Sequence, residues 1–228
     1  MGKLAKLIRL EWRKLNPVMV ISELLVYMLI LIFLPAFFIK IVMPAMGQSY
    51  EAFIELNGYI QMGYVLFGAS LINHVFIEEY KKKTMSLSFG YPYSRQTLFT
   101  AKISFIALFV FAATVISFLL SGVTTLLLDN MFSLIPGQPT ASDIQAFISS
   151  MLIRSVLITL ISFVPLFLFG VWKRAVVPAI MCSMVAMQIP NLSMLLKLNP
   201  DIVIIVLSVL GGLSILLAIK MADRAGEV

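Results

Sequence analysis

The chain alternates between long apolar runs and short polar connections, and this alternation limits what it can fold into. Six mostly apolar runs, at about 18–39, 59–77, 103–128, 147–171, 175–189 and 202–219, follow one another along 228 residues. The hydrocarbon core of a bilayer is about 30 Å thick, so a helix that crosses it needs roughly 20 apolar residues. Only 12% of the residues are charged. We therefore predict an all-α polytopic membrane protein with six transmembrane helices.

A short basic segment precedes the first apolar run. Its apolar residues recur at helical spacing, as expected of a helix that lies on a membrane surface: Leu4, Leu7, Ile8, Trp12 and Leu15. We assign 1–16 to an amphipathic interface helix and 17–228 to a six-span transmembrane domain. The apolar run that follows is too long for a cleaved secretory signal, so we expect an uncleaved anchor.

Basic residues concentrate in alternate connections. Lys and Arg are enriched in cytoplasmic loops of membrane proteins, and six spans with both termini cytoplasmic place fourteen of the seventeen basic residues inside. The outer connections then hold Lys40 and Lys197, and Arg154 lies within a span. The basic residues flank membrane spans, so the net charge of +6 does not indicate nucleic-acid binding.

Three connections carry local signals. Ser49 is placed to cap a short helix at the outer surface, ahead of the second span. Ser142, with Gln145 three residues later, matches a capping box before the fourth span. Pro190 and Asn191 interrupt the fifth run, which predicts a span that is broken or re-entrant.

The sequence offers no recognisable catalytic, cofactor or metal site. It contains neither a G-x-x-x-x-G-K-[ST] loop nor a G-x-G-x-x-G motif, the usual phosphate-binding patterns. The single cysteine, Cys182, and the single histidine, His74, do not form a metal-ligating set. We predict that the chain is not an enzyme and that any ATP is bound by another chain.

Three ionisable residues fall within the apolar runs, where charge is costly unless it is paired or hydrated. Glu23 and His74 are each within a few turns of the cytoplasmic boundary, so they can meet. Arg154 is nearer the outer boundary and needs an outer partner such as Asp143, or it extends toward the headgroups. Two interpretations stay open: a polar lining for a translocation path, or a structural pair.

The longest basic interruption, Glu78 to Lys102, lies between the second and third runs. Gly90 suits a helix C-terminus, Pro92 a turn and Ser94 a helix N-cap. A short helix here would expose Met85, Leu87 and Phe89 for docking on a partner. Alternatively, it is an interfacial loop whose lysines meet anionic lipid.

The same stretch resembles the connection between spans two and three of ABC-2 type transporter permeases. The resemblance covers about 25 residues by motif and the whole chain by architecture. One departure is Lys83, where the family commonly has glycine. The residues that carry the resemblance are Glu79, Thr84, Leu87, Pro92, Ser94, Arg95, Leu98 and Ala101-Lys102.

The resemblance implies a function and partners. The stretch would be a cytoplasmic coupling helix that inserts into a separate ATP-binding cassette subunit, which binds ATP and Mg. A second permease copy, in a homodimer or heterodimer, would complete the transporter in a bacterial cytoplasmic membrane. Its coupling contacts would include Glu79, Lys83, Thr84, Leu87, Pro92, Ser94, Arg95 and, on the N-terminal helix, Trp12.

Small members of this family are similar to exporters of amphipathic peptides, such as phenol-soluble modulin exporters and lantibiotic immunity permeases. We therefore expect export of hydrophobic or amphipathic peptides of the toxin or bacteriocin type. Fourteen Met and seventeen Phe fit adaptable apolar surfaces for such a cargo, or simply lipid contact and packing. The alternatives are export of a lipid-linked glycan or drug, and a non-transporting immunity or scaffold protein.

Overall fold

A computed structural model describes residues 3–42, 49–85, 93–195 and 197–222, and over these ranges the chain forms helices joined by short turns. Six helical stretches are long and apolar enough to cross a membrane, which confirms the prediction of a multi-pass, all-helical protein. These spans are Pro17–Ile41, Tyr50–Lys81, Arg95–Phe132, Ala141–Ile161, Val176–Ser193 and Pro200–Met221.

The individual helices refine these spans. The α-helices are α1 (Lys3–Lys14), α2 (Pro17–Phe37), α3 (Tyr50–Ile60), α4 (Tyr64–Ile72), α5 (Glu78–Lys81), α6 (Arg95–Phe132), α7 (Ala141–Ile161), α8 (Val176–Leu195) and α9 (Pro200–Met221). Short segments of other helix types extend or join them. Three are π-helical, Phe38–Val42, Asn73–Ile77 and Leu166–Trp172, and one is a 3-10 turn, Gln61–Gly63.

The spans alternate in direction and give the bundle two distinct ends. One end gathers α1, the connection between α5 and α6, and the turn at Lys173 and Arg174; we call it the basic end. The other, the opposite end, gathers the starts of α3, α7 and α9. Arg174 stacks over the Tyr80 ring at 4.1 Å, so the turn after the fourth span contacts the end of the second.

The second span is the centre of the bundle. In its most apolar window 67% of the residues are buried, against 22% in the first span. Gly68 lets this span approach Ser162 closely, and Gly211 on α9 does the same against the backbone carbonyl of Leu160. Glycine allows backbones to approach closely at such crossings.

The second span begins earlier than expected. Ser49 does cap a helix, because its hydroxyl accepts a hydrogen bond from the Ala52 amide at 3.1 Å. That helix, α3, continues through the turn Gln61–Gly63 into α4, so it is not separate from the second span. The ring of Phe53 stacks on Phe147 of α7, 6.2 Å between centroids, and this packing keeps α3 in the bundle.

The N-cap of α7 lies two residues earlier than predicted. Thr140 is the N-cap: its hydroxyl accepts from the Asp143 amide, and the Asp143 carboxylate accepts from the Thr140 amide at 2.9 Å. Ser142 lies inside the first turn, so a box of Ser142 and Gln145 is wrong. Aspartate at the third position does what glutamate does in the common pattern.

The fifth span is a continuous helix. The helix α8 runs through Pro190 to Leu195, so the interpretation of a broken or re-entrant span is wrong. Proline removes one backbone hydrogen bond, but backbone in lipid has no better alternative than the helix.

Candidate functional site

A buried ion network joins three segments at the basic end. The Lys102 ammonium, near the start of α6, contacts Glu11 Oε2 of α1 at 2.7 Å and Glu79 Oε1 of α5 at 2.8 Å. It also donates to the Val75 carbonyl at 3.1 Å. Lys102 is only 1% exposed. The network therefore fixes α1 and the end of the second span against the start of the third.

Lys14 completes the network from its rim. Its ammonium lies 3.1 Å from Glu11 Oε1 and 3.4 Å from Glu79 Oε1. Burial lowers the pKa of Lys14, but Glu11 and Glu79 outweigh burial and raise it above its ordinary value of 10.5. Two lysines thus face two carboxylates, and the set carries no net charge when all four are ionised.

Glu11 is the member that sequence reasoning missed. It lies four residues after the buried Leu7 and four before Leu15, on the face of α1 that packs against the bundle. A lone acid on the apolar face of a basic helix signals a buried partner. Trp12 extends the same packing, because its ring stacks on Phe109 with 5.5 Å between centroids.

A second charged group lies beside the first. His74 Nδ1 is 2.8 Å from Glu78 Oε1, and His74 Nε2 is 3.9 Å from Glu23 Oε2. The prediction that Glu23 and His74 meet is confirmed. Ser70 donates to Glu23 at 2.9 Å, and Lys82 contacts Glu78 at 2.7 Å.

Both groups line one cavity of about 570 Å³ between α1, the start of α2 and the end of the second span. Its walls include Glu11, Lys14, His74, Glu78 and Lys82. The wall carries both acidic and basic side chains, and opposite charges lie within a few ångströms of each other. Such a surface suits polar, charged contacts more than an apolar ligand.

The connection begins with a tight turn after α5. Lys83 has φ of 57°, in the left-handed region that favours glycine. The Thr84 amide donates to the Glu79 carbonyl at 3.0 Å. Met85 is 3% exposed, so its predicted exposure is wrong: its side chain packs back on the core.

The centre of the predicted coupling helix lies outside the described residues, which end at 85 and resume at 93. This applies to Leu87, Phe89, Gly90 and Pro92. After this segment, Ser94 caps α6 as predicted, because its hydroxyl accepts a hydrogen bond from the Thr97 amide at 3.2 Å. Arg95 is the first residue of α6.

Arg154 belongs to the opposite end. Its guanidinium lies 3.6 Å from Asp201 of α9 and 5.0 Å from the Tyr59 ring centroid. Asp143, the partner suggested by sequence, instead caps α7 with Thr140, so that suggestion is wrong. Arg154 and Asp201 line a second cavity of about 410 Å³, together with Glu51 and Glu55. Arg154 and His74 therefore line different cavities.

Within the described residues, no group of three or more His, Cys, Asp or Glu side chains is placed to hold a metal ion. The Cys182 thiol is half-buried on α8 and is not in a disulfide. What the basic end offers is a set of ion pairs and a charged cavity.

Comparison with known proteins gives a distant relative. No protein-family model matches the chain. The uncharacterized protein YcbO of Bacillus subtilis (strain 168) is 31% identical over 139 residues, which are 61% of this chain and 60% of YcbO. The matched part is therefore less than two thirds of either protein.

Proposed function

We propose that the chain is the transmembrane permease subunit of an ATP-driven exporter that moves hydrophobic or amphipathic peptides out of the cell. One observation carries the proposal: Glu79, just before the connection between the second and third spans, is paired at 2.8 Å with Lys102, roughly two turns into the third span. The helices on either side of the connection are thus held together by a buried ion pair, which we call the clamp.

This clamp gives the connection a mechanical role. A displacement of the segment 82–94 acts on two spans that are joined by buried charges, and such pairs are costly to separate. Glu11 ties α1 to the same point, so the surface helix moves with the spans. A loop whose only role is to contact lipid would not need an ion pair between the two helices that it connects.

The partner docks at the basic end, which is the cytoplasmic side in this proposal because cytoplasmic loops are rich in Lys and Arg. Lys81, Lys82 and Lys83 are exposed there. A separate ATP-binding cassette subunit binds ATP and Mg and receives the segment 82–94. Two such permease chains in a bacterial cytoplasmic membrane complete the transporter, and closure of the ATPases rocks spans one, two and five.

Charge reversal tests the docking surface. Lys81→Glu, Lys82→Glu and Lys83→Glu together should abolish peptide-stimulated ATP hydrolysis while the chain still inserts and keeps its thermal stability. Lys173→Glu is the matched control, because Lys173 is also exposed at the basic end but lies on the turn between spans four and five.

The ATPase for this test is to be sought among the neighbouring reading frames, as a soluble chain with a phosphate-binding loop; its absence there would count against the proposal. Co-purification and stimulation by amphipathic peptide support the proposal. Stimulation by a lipid-linked glycan or drug in place of peptide would favour the other export function. A toxin-binding chain without any ATPase partner would indicate an immunity or scaffold protein.

A further inference from the structure

A line of uncharged polar side chains crosses the most deeply buried part of the bundle. It lies where the second span faces α6, and all its members are at most 1% exposed. We call it the polar seam; it comprises Asn57, Gln61, Tyr64, Ser117, Ser121 and Thr125.

The register of the seam follows from one contact. The Ser121 hydroxyl donates to Asn57 Oδ1 at 3.1 Å, and the two helices are antiparallel. One turn further along each helix, position 61 therefore faces position 117. From Thr125 to Ser117 the seam extends about 12 Å along α6 at 1.5 Å per residue.

Much of the hydrogen-bonding capacity of the seam is unused. Gln61 Nε2 donates to Asn57 Oδ1 at 3.1 Å, but several buried atoms have no partner among the described residues. They are Asn57 Nδ2, Gln61 Oε1 and Thr125 Oγ1, whereas the Tyr64 and Ser117 hydroxyls face one another. If the amide oxygen and nitrogen of both Asn57 and Gln61 are interchanged, each side chain still has one unpaired polar atom.

Unpaired polar atoms in an apolar interior destabilise the arrangement that buries them. A bundle that only had to pack would use apolar residues at these positions. The unpaired set contains a donor in the Asn57 amide, an acceptor in the Gln61 carbonyl, and the Thr125 hydroxyl, which can act as either. Peptide-bond amides, with one donor and one acceptor each, match this set.

The opposite-end cavity approaches the second span beside the seam. Gly58, the residue after Asn57, has no side chain, and the space is filled by the Arg154 side chain. Arg154 also lines the cavity of about 410 Å³ at that end. Arg154 thus joins the cavity to the residue that follows Asn57.

We propose that the polar seam is a binding site for peptide-bond amides, beside the opposite-end cavity that Arg154 lines. The choice of a peptide as their source rests on the proposed function. The seam contains no charged side chain, so a phosphate or other ionic headgroup would lack a counter-charge there. The second span and α6 part at the seam, and amide groups pair with the atoms that the closed bundle leaves unpaired.

The single native cysteine makes the test direct. In a Cys182→Ala background of the full chain in lipid nanodiscs, Ser121→Cys places a thiol in the seam with little change in size. Val123→Cys on the lipid-facing side of α6 and Asn130→Cys at its exposed end are the controls. The measurement is the rate of modification by a charged methanethiosulfonate reagent, which reaches only hydrated thiols.

We expect modification of the Ser121→Cys and Asn130→Cys variants but not of Val123→Cys. A synthetic amphipathic peptide at about ten times its dissociation constant should slow the reaction of the Ser121→Cys variant about tenfold by occupying the site. Dodecyl maltoside, a glycolipid-like probe, should not. Adding Gln61→Met should leave the thiol at position 121 reactive but remove the protection, without loss of thermal stability.

An unreactive Ser121→Cys variant would show a dry, permanently closed seam and overturn the proposal. Reactivity without protection by peptide, or equal protection by dodecyl maltoside, would also overturn it. The assay uses no ATPase, so failure to find an ATPase partner leaves its result standing. Conversely, an exporter with normal ATPase coupling and no peptide protection of the thiol at position 121 would refute the seam alone.

Discussion

Replacing Lys102 with methionine removes the charge at the centre of the buried network and keeps most of the side-chain volume. Glu11 and Glu79 then face each other with Lys14 alone, at 3.1 and 3.4 Å, in a site where Lys102 was 1% exposed. Breaking a buried pair from one side leaves uncompensated charge and costs about 3–5 kcal/mol. We expect a loss of that size in the free energy of unfolding.

The control is Lys82→Met. Lys82 makes an equally short contact, 2.7 Å to Glu78, but its side chain is 69% exposed, and exposed pairs contribute about 0–1 kcal/mol. Unfolding is followed by tryptophan fluorescence during titration with sodium dodecyl sulfate, since Trp12 packs beside the network.

A double variant separates charge from packing. Adding Glu79→Gln to Lys102→Met removes the one carboxylate that is left uncompensated, keeps the pair of Lys14 with Glu11, and should recover most of the loss, because a neutral amide is far less costly to bury than a charge. The reasoning is refuted if Lys102→Met lies within about 1 kcal/mol of the parent, the value typical of an exposed pair.

Two further predictions concern packing and a hydrogen bond at the opposite end. Gly211→Ala should destabilise by about 1–3 kcal/mol, because the new methyl group meets the Leu160 carbonyl. Gly212→Ala, which meets nothing within 4 Å, should be stabilising by about 0.5–1 kcal/mol. Equal effects in the same unfolding titration would contradict the close crossing of α9 and α7. Tyr50→Phe should cost about 1.5–3 kcal/mol by removing the 2.7 Å bond to Asp129, and no loss would mean that this bond does not hold α3.

The number of spans was predictable because membrane thickness fixes the length of an apolar helix. The ends of the spans were less predictable. From sequence, α3 is a short helix ahead of the second span, and its continuity with that span and its packing on Phe147 are visible only in the structure. Pro190 reads as a break because sequence rules describe water-exposed helices, whereas lipid favours a continuous helix.

The charged sites were also predictable only in part. The contact of Glu23 with His74 could be predicted because the two residues occupy similar positions along neighbouring apolar runs. Depth alone did not identify Asp201 rather than Asp143 as the partner of Arg154, because that depends on which helices are neighbours. Glu11 required knowing which face of α1 is buried.

Export itself is the central claim, and vesicle uptake tests it most directly. Inside-out vesicles that contain this chain and its ATPase should accumulate a labelled amphipathic peptide when ATP is added, and the reversal of Lys81, Lys82 and Lys83 should stop uptake while Lys173→Glu does not. ATP-independent binding of peptide, or unchanged uptake by the Lys81–Lys83 variant, would contradict the account.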